Sequence, residues 1–196
     1  MRRLAEQIAF LVEADKLKSI LRRTPLADSS RLENSAEHSW HLALAAMVLA
    51  EYAPQEVNLP RVLELVTIHD LVEIDAGDTF AYDVSGQETK AARELAAAEL
   101  IFGLLPPEQA RHIRELWDEF EEQKSAESRY ANALDRFQAL LLNSRAGGGS
   151  WATHHVSRSQ VLSRMAPVEQ AMPDVWPFVL AVIDAACASG AIREDE

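Results

Sequence analysis

Val62-Leu63-Glu64-Leu65-Val66-Thr67-Ile68-His69-Asp70-Leu71-Val72-Glu73 is apolar around nearly the whole circumference of a helix, and it ends in ionisable residues. A helix apolar all round is a buried one, so this stretch predicts the centre of a helical bundle. Pro60 suits the first turn of that helix, and Gly77 offers a residue to end it, giving an expected helix from about 60 to 74. Its end poses a problem of charge. A carboxylate buried beside an imidazole is costly unless both have partners, and one divalent cation would partner both. The negative end of the helix dipole also favours a cation at that place. Glu73 lies three residues after Asp70 and four after His69, on the same face. Asp78 follows Gly77, where the chain can turn back towards the site.

A second stretch, Leu42 to Ala50, is equally apolar on every side. It predicts a second buried helix, capped by Ser35 and running to about Tyr52, with His38 one turn in from the cap. Asp135 sits in a third apolar context, Ala131-Asn132-Ala133-Leu134-Asp135. Two histidines and two aspartates make a nitrogen and oxygen donor set, suited to Mn, Fe, Co, Ni or Zn better than to Ca or Mg. Without thiolates, a closed structural zinc site is not expected.

Helical spacing continues over most of the chain, and no alternating strand stands out. A first helix is expected from Leu4 to about Leu21, ended by Arg22-Arg23-Thr24-Pro25, with a polar loop over 28–34. Further helices are expected near 86–103, 107–123, 126–143, 157–172 and 175–188, with Gly147-Gly148-Gly149 as a loop. The reading is an all-α, single-domain bundle over residues 1–196. Trp40, Trp117, Trp151 and Trp176 read as core or helix-contact residues.

Composition narrows the function. Hydrophobic residues make up 48% and charged ones 26%, a globular profile. Thirty-one acidic residues against 19 basic ones give a net charge of -12, which argues against nucleic acid or an anionic membrane as partner. The same field repels a phosphate ester, so such a substrate needs a local metal or arginine. The lone Cys187 excludes an intrachain disulfide and, with no apolar run long enough to span a bilayer, suggests a cytoplasmic protein.

The ordered set His38, His69-Asp70 and Asp135 resembles the signature of the HD-domain phosphohydrolases. Glu37-His38-Ser39, His69-Asp70-Leu71-Val72-Glu73, Gly77-Asp78, Glu115-Leu116-Trp117-Asp118-Glu119-Phe120-Glu121 and Ser125-Ala126-Glu127 narrow the resemblance to the branch containing the 5′-deoxynucleotidases. It covers about residues 15–143, with the helices of 157–188 expected to pack on that core. The resemblance implies that His38, His69, Asp70 and Asp135 hold one divalent transition metal. It makes Glu73 an acid/base carboxylate, Asp78 a second carboxylate at the pocket, and Arg22 an arginine that reaches the substrate. It also suggests a homodimer. The chemistry implied is attack of activated water on a phosphomonoester, most simply a nucleoside 5′-monophosphate and in particular a deoxyribonucleotide. One position departs: Arg23 stands where the bacterial 5′-deoxynucleotidases carry a tryptophan that shapes the sugar pocket, and a second substrate-binding arginine would suit a more anionic substrate. An alarmone or sugar phosphate hydrolase and a non-catalytic nucleotide-binding module are the competing readings. Taken singly, His38 and His69 read equally well as hydrogen-bonded core histidines. His41, His154 and His155 read as bystanders, His41 with a place beside the ligands.

Overall fold

The computed structural model describes residues 1–53 and 56–195. The apolar stretches become α2 (Ser35–Val48) and α3 (Leu59–Ile68), preceded by α1 (Arg2–Ala14) and followed by α4 (Glu73–Ala76), α5 (Val84–Phe102) and α6 (Pro107–Glu122). Then come α7 (Ala126–Arg145), α8 (Gly149–Thr153), α9 (Arg158–Ala171) and α10 (Trp176–Ala188). The fold is all-α. α2, α3 and α7 pack against one another, α6 closes on α3 and α7, and α9 and α10 pack on the far part of α7. Leu42, Ala46, Val62, Leu65, Val66, Ala131, Leu134 and Leu140 are wholly buried where these helices meet.

Several expectations fail locally. The first helix does not reach Leu21: α1 ends at Ala14, a 3-10 turn runs from Asp15 to Ser19, and Ile20 turns extended (φ -84°, ψ 113°). A short antiparallel ribbon follows, β1 (Leu21–Pro25) on β2 (Leu32–Asn34), with Leu21 opposite Asn34 and Pro25 opposite Leu32. Alternation along β1 turns Arg22 and Thr24 inward and leaves Leu21 and Arg23 exposed.

Ser35 is not the cap of α2. Asn34 is: its Oδ1 accepts the Glu37 amide at 2.9 Å, while Glu37 accepts the Asn34 amide at 3.3 Å, a reciprocal capping box. α3 stops at Ile68, six residues early, and His69 to Val72 form a turn before α4. Gly77 ends α4 with φ 75° and ψ 150°, a conformation open essentially only to glycine, and so returns Asp78 to the site.

The glycine run is only in part a loop, because Gly149 opens α8. A Cβ there would lie 2.5 Å from Asn143 Oδ1 and 2.9 Å from Pro25 Cγ, so glycine lets α8 approach β1. α2 is buried on one side only. Trp40, Leu44, Met47 and Val48 face outward, and Trp40, expected as a core or helix-contact residue, is 67% exposed. Trp117 and Trp151 are buried as expected, and Trp176 is partly so.

Candidate active site

Arg22, Arg23, Asp70, Glu73, Asp78 and Asp135 line one cavity of about 100 Å³, gathered from β1, the α3–α4 turn, α4, the segment after Gly77 and α7. His38 and His69 lie beneath it, their rings 5.4 Å apart and both buried. The structure therefore brings all eight expected residues together, with Arg23 at the exposed rim.

His69 Nδ1 lies 3.0 Å from the Val66 carbonyl, which can only accept, so Nδ1 carries the proton. That leaves Nε2 with a lone pair pointing at the site. It is buried and makes no hydrogen bond, although Asp70 Oδ1 is 3.0 Å away. Burial holds the His69 pKa below its ordinary value, the charge of Asp70 only partly opposing.

His38 is held at both nitrogens. Nε2 is 3.0 Å from Asp135 Oδ1 and 4.0 Å from Asp70 Oδ2, while Nδ1 is 3.1 Å from Gln138 Oε1 and 3.5 Å from Glu33 Oε2. Burial and Arg22 push its pKa down, but hydrogen bonds to Asp135 and Glu33 and the charge of Asp70 prevail and raise it to about 9. Asp135 moves the other way: burial favours its neutral form, and His38, Arg164 and Arg22 overcome this to hold it well below the carboxylate range.

One donor atom each from His38, His69 and Asp135 lies within 4.8 Å of the others, a spacing that one ion can bridge. Asp70 borders the same space but spends Oδ2 on Arg22 at 2.8 Å. Arg22 also stands 3.5 Å from Asp135 and 3.6 Å from Glu33. A lone pair without a partner, a second imidazole and two carboxylates fit a divalent cation.

Glu73 is buried and accepts a 2.7 Å hydrogen bond from Ser35, the residue that Asn34 frees by taking over the cap. Burial and the nearby Asp70 charge raise its pKa well above the usual value, with Arg22 opposing. Asp78 is raised by burial too, again against Arg22.

Several residues at the site escape a reading of the sequence. Gln138 accepts from or donates to three neighbours: its Oε1 meets His38, and its Nε2 donates to Glu33 at 2.7 Å and meets His41 at 3.2 Å. Its position three residues after Asp135 on an apolar helix was the available signal. Lys90, Arg136 and Arg164 join the cavity wall from α5, α7 and α9; Arg136 adjoins Asp135 in sequence, and no local pattern marks Lys90 or Arg164. His41 reaches the site only through Gln138. His154 packs against Phe80, the ring centroids 4.4 Å apart and the planes tilted by 41°.

The chain is similar to known proteins. Residues 14–176 match the model of the HD domain. The human 5′-deoxynucleotidase HDDC2 is 33% identical over 111 residues, 57% of this chain and 53% of that protein, so the chain spans about half the length of this relative. A 5′-deoxynucleotidase of Citrobacter koseri is 28% identical over 157 residues, 74% of this chain and 78% of that protein. The crystal structure of a predicted metal-dependent phosphohydrolase from Magnetospirillum magnetotacticum superposes with a TM-score of 0.92 at 48% identity, covering 97% of this chain and 95% of that one. The chain belongs to the HD-domain family.

Proposed function

We propose that the protein is a metal-dependent phosphomonoesterase that hydrolyses nucleoside 5′-monophosphates, deoxyribonucleotides among them, to nucleoside and phosphate. The observation that carries this is the unpartnered Nε2 of His69, aimed at a space bounded by His38, Asp70 and Asp135. The relatives named 5′-deoxynucleotidase and the metal-dependent phosphohydrolase of like structure support the same reading.

In it, His38, His69, Asp70 and Asp135 hold one divalent transition metal: Mn, Co, Fe, Ni or Zn. When bound, such an ion acidifies water and draws charge from a phosphoryl oxygen. The chain's own residues do the rest. Arg22, paired to Asp70 and within 3.5 Å of Asp135, offers its charge to the phosphoryl oxygens once those carboxylates are otherwise engaged. Glu73, whose pKa burial and the Asp70 charge raise above the ordinary carboxylate value, moves a proton between the attacking water and the leaving 5′-oxygen. The Ser35 hydroxyl fixes its orientation. Asp78 closes the polar wall, and Arg23 meets the substrate at the rim.

The packing of α9 and α10 on α7 supports one HD-type domain over 1–196. A cytoplasmic protein without nucleic-acid or membrane partners fits the acidic charge and the single cysteine. Among the described residues no helix is long and apolar enough to cross a membrane. A homodimer would cover the exposed apolar faces of α1 and α2.

The test is phosphate release from ribo- and deoxynucleoside 5′-monophosphates with Mn, Co and Mg. We expect turnover with at least one ion and its loss, together with metal binding, in Asp70→Ala. No release from any nucleotide while metal is bound would overturn the reading.

A further inference from the structure

Glu33 is a carboxylate that the proposed chemistry does not use, yet it is only 2% exposed. It is the middle residue of β2, where alternation turns it inward between Arg22 and His38. A buried carboxylate is costly without partners, and the partners of Glu33 all belong to the site. Its Oε1 accepts from Gln138 Nε2 at 2.7 Å. Its Oε2 faces Arg22 Nε at 3.6 Å and His38 Nδ1 at 3.5 Å, both too long for a strong hydrogen bond. The firm hold is therefore the one on Gln138.

That bond decides which way round the Gln138 amide lies. A carboxylate oxygen only accepts, so the amide presents its nitrogen to Glu33. The same nitrogen meets His41 Nδ1 at 3.2 Å. The amide oxygen is left facing His38 Nδ1, 3.1 Å away. An oxygen there only accepts as well, so His38 Nδ1 carries a proton. Turning the amide over would set oxygen against oxygen at Glu33. It would also present an N–H to His38 Nδ1, which would then have to keep its proton on Nε2.

The two histidines of the site thus differ in how their tautomer is fixed. His69 Nδ1 donates to the Val66 main-chain carbonyl, a group that cannot turn over. His38 Nδ1 donates to a side-chain amide with two possible orientations, of which Glu33 admits one. With the proton on Nδ1, the nitrogen facing Asp135 at 3.0 Å and Asp70 at 4.0 Å is the one with a lone pair to give a cation. An imidazole that binds metal through one nitrogen is generally oriented through the other.

We propose that Glu33 is the positioning residue that makes His38 a metal ligand: it holds the Gln138 amide in one orientation, which keeps the His38 proton on Nδ1 and leaves Nε2 for the ion. This rests on the metal-dependent reading and deepens it, extending the site from α2 through α7 to β2.

Zinc alone is the probe. Calorimetry gives its affinity, and nitrogen-15 NMR of the zinc-loaded protein gives the protonation of the His38 ring. In the wild type we expect the proton on Nδ1, a result that needs no variant. Glu33→Gln is close in shape but lets the amide turn over, and should weaken zinc binding roughly ten- to hundredfold. Gln138→Leu separates this route from a simple loss of negative charge. Where Glu33 acts through Gln138, Glu33→Gln costs much less affinity in a Gln138→Leu protein than in the wild type, whereas a purely electrostatic role costs the same in both. Exchanging the two groups, Glu33→Gln with Gln138→Glu, should recover most of the lost affinity, because a carboxylate then accepts from His38 Nδ1 directly. A wild-type His38 proton found elsewhere than on Nδ1, an unchanged affinity in Glu33→Gln, or an equal loss in both backgrounds overturns the proposal. A wild type that binds neither zinc nor manganese overturns it together with the metal-dependent reading. Loss of zinc affinity in Glu33→Gln, in a protein that hydrolyses no nucleotide, supports the role of Glu33 and overturns the nucleotidase reading alone.

Discussion

Arg22 is the counter-ion on which the site's carboxylates rely. It reaches Asp70 at 2.8 Å and Asp135 at 3.5 Å while only 13% exposed. Removing one partner of a buried ion pair costs about 3–5 kcal/mol, because the charge left behind stays buried. For a chain of this size that is roughly 2–4 °C in Tm for each kcal/mol. Arg22→Met should therefore melt well below the wild type in the presence of a chelator. A divalent metal should restore more of its Tm than of the wild type's, because the ion supplies the missing charge. Equal stabilisation of both proteins by metal would refute the counter-ion role.

The same residue marks how far the sequence could be read. His38, His69, Asp70 and Asp135 stood out because ionisable residues within apolar helices need a reason. Gln138, Glu33 and Arg164 did not, because an amide or a charge beside polar neighbours is ordinary until the fold brings α7, β2 and α9 together.

Among the elements, the long amphipathic or apolar helices were readable, and the ribbon was not. Three to five residues of strand give too few alternations to compete with a helical reading on either side. The consequence is chemical. In β1, Arg22 and Arg23 point to opposite sides, one to Asp70 and one to the rim.

The α5–α6 contact hides another feature. Glu94 on α5 is 6% exposed, with Lys90 Nζ 3.5 Å away. Burial raises its pKa to about 7, with Lys90 opposing and Glu121 reinforcing. A carboxyl group whose folded pKa exceeds its unfolded value holds its proton more tightly in the native state, so stability falls as pH rises between those values. The window runs from the ordinary 4.5 to about 7. Glu94→Gln cannot ionise and should escape that loss. Thermal melts at pH 5 and pH 8 should show the variant gaining on the wild type as pH rises. A constant difference between the two would rule out Glu94 as the titrating group.

Across the whole molecule, the sequence misplaced the boundary between inside and outside. α2 is apolar on both sides, which reads as complete burial. In the structure His38, Leu42 and Ala46 face the core, and Trp40, Leu44, Met47 and Val48 form an outward stripe. α1 has no buried residue at all, and Leu4, Ile8, Leu11 and Val12 are each at least half exposed. An exposed apolar stripe of the α2 kind is a candidate interaction face. A closed two-fold pair would cover it with the same surface of a second copy. Because α2 carries His38 on its opposite side, covering the stripe would also hold the helix that positions this imidazole. The wild type should therefore sediment at about twice its 21.8 kDa. Leu44→Glu with Val48→Glu places two charges on adjacent turns of the stripe and should yield a monomer, with metal affinity lowered if the paired surface steadies α2. A wild type that sediments as a monomer at micromolar concentration would remove the second copy as the occupant. In that case the exposed stripe would call for a partner of different chemistry.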